Sequence, residues 1–473
     1  MTSTVTFFFP ELRPELSSEI RDIEDLSNNL VFAPAIGTLV TYFSDERPVP
    51  YLAKKWWLDG NRWIFELRDQ LSCENGEPIN ATNFAESLAR TIRIYSSGGD
   101  HPVFRRIKGY RQLVSGRASG LEGIRADGNR LIFEFEGRDF SGFLEHLTMA
   151  PFGFVCSANF EGDKWKDRST IISSGPFRFA GMPDDRSYHL IARENFLPEF
   201  ASKFKNIVVR RGDLGQFKKH VGPKVIELFD PQDNHLEGFA QIRQMPQGLY
   251  ILALNHKRAT FESKTVRQLF ARMFKEELRR LPFESKGYFK TERFYFNDKI
   301  ELSEIPKSSH VQEHSSKPTS IVMKIANNKV HLALQEIAER TSKRLGWSIT
   351  FDTDPSKTFL REHERTNFDL VVLGSEIGGG YESWIIDMLF CSDVGSRWPD
   401  PSGQICEFAR KTASGEISPD SVAQQFQDLL TDDAAAIPTF HRGGFYLLSK
   451  DLDIKSLGPM VTRIRFEDVG PAL

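Results

Sequence analysis

Apolar and polar positions alternate most clearly at Trp63, Phe65 and Leu67, a period of two that predicts a strand ending at Arg68. Before it, Leu52 and Ala53 read as an apolar-capped turn, followed by Trp56. After it, Asn75-Gly76 with Pro78 marks a turn, and Asn83 is placed to cap a helix with an inward stripe of Phe84, Leu88, Ile92 and Tyr95. Glu86 stands where a capping box would need it. Upstream, Val5 to Phe9 reads as a strand stopped by Pro10, a helical stretch runs through Ile20, Ile23 and Leu26, and Leu30 to Tyr42 is apolar and turn-rich. Downstream, Asp127-Gly128 separates two alternating runs, Gly123 to Arg125 and Leu131 to Phe135, as in a hairpin. Phe140, Phe143, Leu144 and Leu147 then follow at helical spacing.

At Gly175 a side chain would obstruct a backbone turn, and Pro176 sets the start of the next strand. Strands recur at Tyr188 to Ala192, Ile207 to Arg210, Val225 to Phe229 and Leu249 to Asn255. A helix carries Val266, Leu269, Phe270, Met273, Phe274 and Leu278, and Glu304 to Ser320 reads as a linker. Ile321 to Ile325 is a strand, and a helix from Asn328 buries Val330, Leu334, Ile337, Thr341 and Leu345 before Gly346 closes it. Trp347 to Phe351 and Phe368 to Leu373 are further strands, the latter read as apolar and buried on both faces. Strand, helix, strand implies a parallel sheet with right-handed crossovers. Ser418-Pro419 opens a helix with Val422, Phe426, Leu429 and Leu430 on one side, and Pro438 leads into a strand through Phe445 to Leu448.

The stretch from Pro50 to Arg90 resembles the signature of family 5 solute-binding proteins of bacterial ABC importers, which include dipeptide-, oligopeptide- and nickel-binding members. The pattern P-x-LA-x-x-W, a Gly, F-x-LR, G-x-P, A and S-x-x-R is met by Pro50, Leu52, Ala53, Trp56, Gly60, Phe65, Leu67, Arg68, Gly76, Pro78, Ala81, Ser87 and Arg90. Cys73, Glu74 and Asn75 stand where the family usually has His-Asp. Ser173 to Phe179 is similar to its GTGPY-x-F, and Val266-Arg267-Gln268 to its V-R-Q-A helix. The resemblance implies an α/β, two-lobed periplasmic-binding-protein-like fold (type II, cluster C) with an extra small domain in the first lobe. Residues 1–30, 171–255 and 436–473 would form lobe I, 31–170 the small domain and 256–435 lobe II, with crossings near Asn255 and Ala436 acting as a hinge. It implies capture of a small ligand (peptide-like, sugar or chelate) in a cleft, delivery to ABC permease subunits, a monomer, no catalysis and no cofactor. The location implied is periplasmic or cell-surface, with a signal peptide already removed. A cytoplasmic ligand-sensing regulator is the alternative, since the same domain occurs behind DNA-binding modules.

Composition narrows this reading. In 473 residues, 40% are hydrophobic and the formal net charge is −3 with mixed signs, which argues against a nucleic-acid partner. Arg210, Arg211, Lys218 and Lys219 read as a solvated face. No apolar run approaches the ~20 residues of a membrane helix. The chain has no G-x-S-x-G, H-E-x-x-H, Walker or G-x-G-x-x-G motif. His310 and His314 lie among prolines and serines and do not make a metal site by themselves. Four cysteines are too few for a disulfide framework and show no CxxC spacing. Cys391 and Cys406 resemble a disulfide loop of the family's dipeptide-binding member, against which stands the reading of two buried thiols.

Candidate ligand contacts follow the last strand of lobe II. Peptide-binding members resemble one another in a W-x-x-D whose Asp pairs with the peptide's amino group. Laid without gaps on Phe368 to Phe390, that motif falls on Ser375 and Gly378. Glu376 could substitute, sharing Gly378's face one pleat back. Tyr381 and Trp384 offer flat apolar surface for a sugar, an aromatic or another less cationic ligand, or belong to the core. Gly374, Gly378, Gly379 and Gly380 read as a loop at the cleft mouth. Leaving a buried ammonium without its partner costs about 3 to 5 kcal/mol, so di- to pentapeptides with free N-termini are expected to bind weakly or not at all. Calorimetry with a mixed peptide library tests this. Micromolar binding abolished by N-acetylation would overturn it, and loss of that binding in Glu376→Gln would show that Glu376 had taken over.

Overall fold

Val5 to Phe9 are all buried within strand Thr4–Phe9, and the alternation sorts them between two cores. Val5, Phe7 and Phe9 join one apolar cluster and Phe8 another, against Phe217. Burial on both faces is possible because the strand is interior to its sheet, parallel to Asn206–Arg211 on one side and Lys224–Leu228 on the other. The computed structural model describes residues 4–10, 12, 26–42, 48–96, 101, 103–138, 140, 142–166, 170–194, 196–228, 237–243, 248–282, 288–292, 294, 319–325, 329–353, 367–376, 386, 390–391, 400–413, 416–443, 445–454 and 465–471. The chain divides into two units, Met1–Gln244 with Gly444–Leu473, and Met245–Gly443.

The first unit holds a seven-stranded sheet in the order Phe177–Asp184, Ser187–Ala192, Asn206–Arg211, Thr4–Phe9, Lys224–Leu228, Phe445–Ser449, Phe239–Arg243. It also holds a four-stranded antiparallel sheet, Ala53–Asp59, Arg62–Leu67, Arg130–Glu134 and Ile124–Asp127. The hairpin at Asp127-Gly128 is present, with Gly128 at φ 57°. Strand Ala53–Asp59 was not legible, because Lys54, Lys55, Trp56, Trp57 and Leu58 show no alternation. They form an edge strand with neither face fully covered. Helix Ala81–Tyr95 buries the expected Phe84, Leu88, Ile92 and Tyr95, but its cap is Asn80 rather than Asn83. The Asn80 side chain accepts from the Asn83 backbone N–H at 2.9 Å, and Glu86 is exposed. Likewise, part of the turn-rich stretch after Leu30 is helix Leu26–Ala35.

Within this unit Ser173 to Gly175 cross Pro34 to Ile36. A Cβ on Gly175 would stand 2.5 Å from the Pro34 carbonyl oxygen, so a direct backbone approach, not a left-handed turn, demands glycine. The Ser173 hydroxyl donates to Ala35 O (2.8 Å), and the Ser174 hydroxyl donates to Phe154 O (2.5 Å) while accepting from Gly37 N (2.9 Å). Arg193 donates to Gly175 O (2.9 Å) and Ser72 O (2.8 Å).

The second unit is a six-stranded sheet ordered Tyr288–Lys290, Ala436–Arg442, Gly248–Leu254, Leu370–Glu376, Ser320–Lys324, Ser348–Asp352. Strand Ser320–Lys324, helix Lys329–Arg344 and strand Ser348–Asp352 make the expected parallel unit, with Gly346 at φ 71° closing the helix. Gly248–Leu254 and Ala436–Arg442 hydrogen-bond into this sheet, so the division falls at 244/245 and 443/444 rather than at 255/256 and 435/436. Asp369 interrupts the apolar run before Leu370 yet is buried, because Arg258 reaches it at 3.2 Å and Val322 N–H donates to it at 2.9 Å.

All four cysteines pair, Cys73 with Cys156 and Cys391 with Cys406. The first pair corrects the reading that four were too few, since 83 positions separate its members and the chain's return from the small sheet brings them together. Loops of 83 and 15 positions correspond to about 4.5 and about 3 kcal/mol of denatured-state constraint. Denatured, unreduced protein should therefore take up no alkylating reagent, and reduction should expose four thiols and lower the unfolding midpoint. Labelling at Cys73 or Cys156 before reduction, located by peptide mapping, would count against the first bridge.

Candidate ligand-binding residues

Three strands of the second unit, Ser320–Lys324, Ser348–Asp352 and Leu370–Glu376, are parallel. Gly248–Leu254 runs against Leu370–Glu376, and Ala436–Arg442 against Gly248–Leu254. Gly248, Glu376 and Arg442 therefore meet at the carboxyl end of the parallel strands, the end at which open α/β sheets present ligand sites. Register places Tyr288, Arg442, Gly248 and Glu376 in one row across the sheet, and Phe440, Tyr250 and Gly374 in the next row on the same face. Leu252 and Leu254 continue that face into the core beneath helix Lys329–Arg344, whereas Leu249 and Ile251 enter the opposite core.

Two glycines shape the face. A Cβ on Gly248 would lie 3.0 Å from Arg442 Cβ and 3.4 Å from its Cδ, so the Arg442 stem runs across the bare backbone. A Cβ on Gly374 would lie 3.4 Å from Tyr250 Cε1, so the Tyr250 ring covers that position. The same ring meets Tyr288 at 6.1 Å and stands perpendicular to His331 at 6.1 Å. Leu332, next in the helix, is 51% exposed. The arrangement combines one guanidinium, two phenols, an imidazole and open backbone, which suits recognition rather than nucleophilic chemistry.

Of the sequence-predicted contacts, Ser375 and Glu376 end the Leu370–Glu376 strand, paired with Leu249 and Gly248. Gly378, Tyr381 and Trp384 lie outside the described residues, as do Gly379, Gly380, His310 and His314. Tyr250, Tyr288, His331 and Arg442 were not identified from sequence, because strand register and the packing of helix Lys329–Arg344 bring them together. Among the described residues, no group of three or more His, Cys, Asp or Glu side chains could hold a metal ion, and no helix is long and apolar enough to cross a membrane.

The signature positions have structural partners in the first unit. Arg68 donates to Tyr51 O (2.6 Å) and pairs with Glu199 (2.5 Å). The Ser87 hydroxyl exchanges hydrogen bonds with Val155, and Arg90 lies 5.0 Å above Phe160.

Residues 47–271 match the family described as bacterial extracellular solute-binding proteins, family 5 middle. A putative binding protein of Haemophilus influenzae is 23% identical over 154 residues, 30% of this chain and 30% of that protein. The nickel-binding periplasmic protein of Escherichia coli is 40% identical over 68 residues, 14% of this chain and 12% of that protein. The alignments thus span under a third of either curated relative. OppA of Listeria monocytogenes bound to peptide is similar in fold, at TM-score 0.77 and 14% identity over 99% of both chains, which shows the two-lobed binding-protein architecture.

Burial holds the His331 imidazole down to about 4, below its ordinary 6.5. The unfolded chain therefore binds this proton first, and the stability carried by neutral His331 is present above pH 6.5 and lost as pH falls toward 4. The loss reaches about 3 kcal/mol. Denaturation of the second unit, followed by hydrogen exchange between pH 7 and 4.5, should show this slope. In His331→Gln it should be shallower, and an unchanged slope there would assign the acid sensitivity elsewhere.

Proposed function

We propose that the chain, whose residues 47–271 match the family 5 bacterial extracellular solute-binding proteins, captures a small solute for an ABC importer. It acts as a monomer outside the cytoplasmic membrane, hands the solute to the permease subunits, and performs no turnover. The family match carries this reading. Two cystine bridges support an oxidising compartment, and the cluster at the carboxyl end of the second sheet supports recognition. On this reading Ser375, Glu376, Gly378, Tyr381 and Trp384 supply ligand contacts. Peptide-like solutes, sugars and metal chelates are the ligand classes in view, the last by similarity to the nickel-binding relative. The comparisons lend no support to the alternative of a ligand-sensing regulator.

Mass spectrometry of whatever co-purifies with natively expressed protein identifies the solute. At about a hundred times its dissociation constant that solute should add roughly 2.7 kcal/mol to stability. The radius of gyration should fall on binding, and the solute should be recovered unchanged. A tight ligand without compaction, or one recovered chemically altered, would sink this reading.

A further inference from the structure

Strand Ala53–Asp59 is the edge of its four-stranded sheet, and register shows which of its backbone groups are left over. Gly60 at φ 66° begins a tight turn that closes on the Asp59–Arg62 pair. On the other flank of strand Arg62–Leu67, Asn61 O accepts from Phe135 N–H and Leu67 N–H donates to Asn129 O. Asn61, Trp63, Phe65 and Leu67 therefore turn their backbone groups toward Arg130–Glu134. Bonding alternates along an antiparallel strand, so Arg62, Ile64 and Glu66 bond to Asp59, Trp57 and Lys55. The N–H and C=O groups of Trp56 and Leu58 point out of the sheet, and no described residue bonds them. The Leu58 residue is 45% exposed, on the face shared with Trp56 and Trp63.

The opposite face carries a charge pattern that ends at this edge. One row across the sheet reads Arg130, Glu66, Lys55 and another reads Glu134, Arg62, Asp59, both alternating in sign. Between them runs an apolar row of Ile132, Ile64 and Trp57. Lys55 reaches Glu66 at 3.0 Å, and Arg62 pairs with Asp59. One row thus stops at the edge on a cation and the other on an anion. A strand laid antiparallel with its own leucine opposite Trp56 must offer an acid to Lys55, an aromatic to Trp57 and a base to Asp59. Ala53–Asp59 itself has that sequence.

We propose that two copies of this chain pair through Ala53–Asp59 about a two-fold axis at Trp57, joining their four-stranded sheets into one continuous sheet. Trp56 of one copy exchanges backbone hydrogen bonds with Leu58 of the second copy, and the reverse. Lys55 meets Asp59 on each side of the axis, so both charge rows continue across the junction with alternating sign, and each Leu58 is covered. Such an isologous contact closes on itself, because one partner occupies the whole edge. The irregularity between Ala53 and Lys55 and the turn at Gly60 end the pairing at its two sides. A contact this short is smaller than a permanent interface, so it forms when the protein is concentrated and the single copy remains the form that takes up solute. The proposal is independent of the solute-binding reading.

Sedimentation equilibrium of the full-length oxidised protein, over a concentration series up to its solubility limit, should show monomer and dimer without larger species. Lys55→Asp alone and Asp59→Lys alone should not associate, since like charges then meet twice. An equimolar mixture of those two variants should pair, because every charge contact across the junction is then of opposite sign. Leu58→Pro removes an outward N–H while leaving the bonds to Arg62–Leu67 in place, and should weaken association by about tenfold or more. Facing residues of a non-hydrogen-bonded pair stand about 4.5 Å apart at Cα, within disulfide reach. Trp57→Cys should therefore cross-link to a dimer under mild oxidation, and Lys55→Cys should not. A protein that stays monomeric throughout the series, association unchanged in either single charge variant, failure of the mixture to pair, or cross-linking through Lys55→Cys in place of Trp57→Cys would overturn the proposal. If Leu58→Pro does not fold, the mixture and the cross-link decide. Solute binding by Lys55→Asp should equal that of the unaltered protein, which separates this proposal from the solute-binding reading.

Discussion

The first unit depends on one contact in which backbone lies on backbone. Gly175 passes so close to Pro34 and Ala35 that any side chain would displace one strand of chain from the other. The surrounding polar groups are arranged to suit that approach. Ser173 and Ser174 place their hydroxyls on carbonyls of residues 35 and 154, and Arg193 covers the carbonyls left over. A buried carbonyl without a donor costs more than the average hydrogen bond contributes, so the serines and the arginine act together with the glycine. Gly175→Ala should therefore be among the more damaging single changes in the unit, although it adds a single methyl group.

Much of the fold was legible because local chemistry and tertiary packing agree. Val5 to Phe9, the Asp127-Gly128 hairpin, helix Ala81–Tyr95 and the parallel pair around helix Lys329–Arg344 each carry a periodicity that survives in the folded chain. Legibility failed where a segment is partnered on one side only. Ala53–Asp59 has lysines and tryptophans on both faces because it lies at a sheet edge, and no period marks it. Helix Gln404–Ala413 was not read at all, although Ile405, Phe408 and Ala409 are buried in it. Strands that cross between units were assigned to the wrong side because nothing in Leu249 to Leu254 says which neighbour will supply its hydrogen bonds.

The candidate site was less legible than the fold, for a physical reason. Ser375 and Glu376 were reached by laying a motif along the chain, but Arg442, Gly248, Tyr250 and His331 come from three separate segments. Gly248 and Arg442 are nearly two hundred positions apart and gain meaning from being opposite each other in an antiparallel pair. The family signature, in contrast, is concentrated in one stretch because it builds a local structure: Arg68, Ser87 and Arg90 tie the small sheet and its helix to neighbouring carbonyls and rings.

The interior position of Thr4–Phe9 and of Phe445–Ser449 in one sheet bears on how the chain is made. Lys224–Leu228 is bordered by both, and Phe239–Arg243 has the late strand as its neighbour. Thr4–Phe9 thus shares its sheet with a strand synthesised more than four hundred residues later. Pairings so distant in sequence form slowly, since loop closure must precede the contacts that reward it. Until then Lys224–Leu228 has an open flank and the sheet is incomplete. That open flank is an edge strand for as long as the delay lasts, with unpaired backbone groups able to take up another chain.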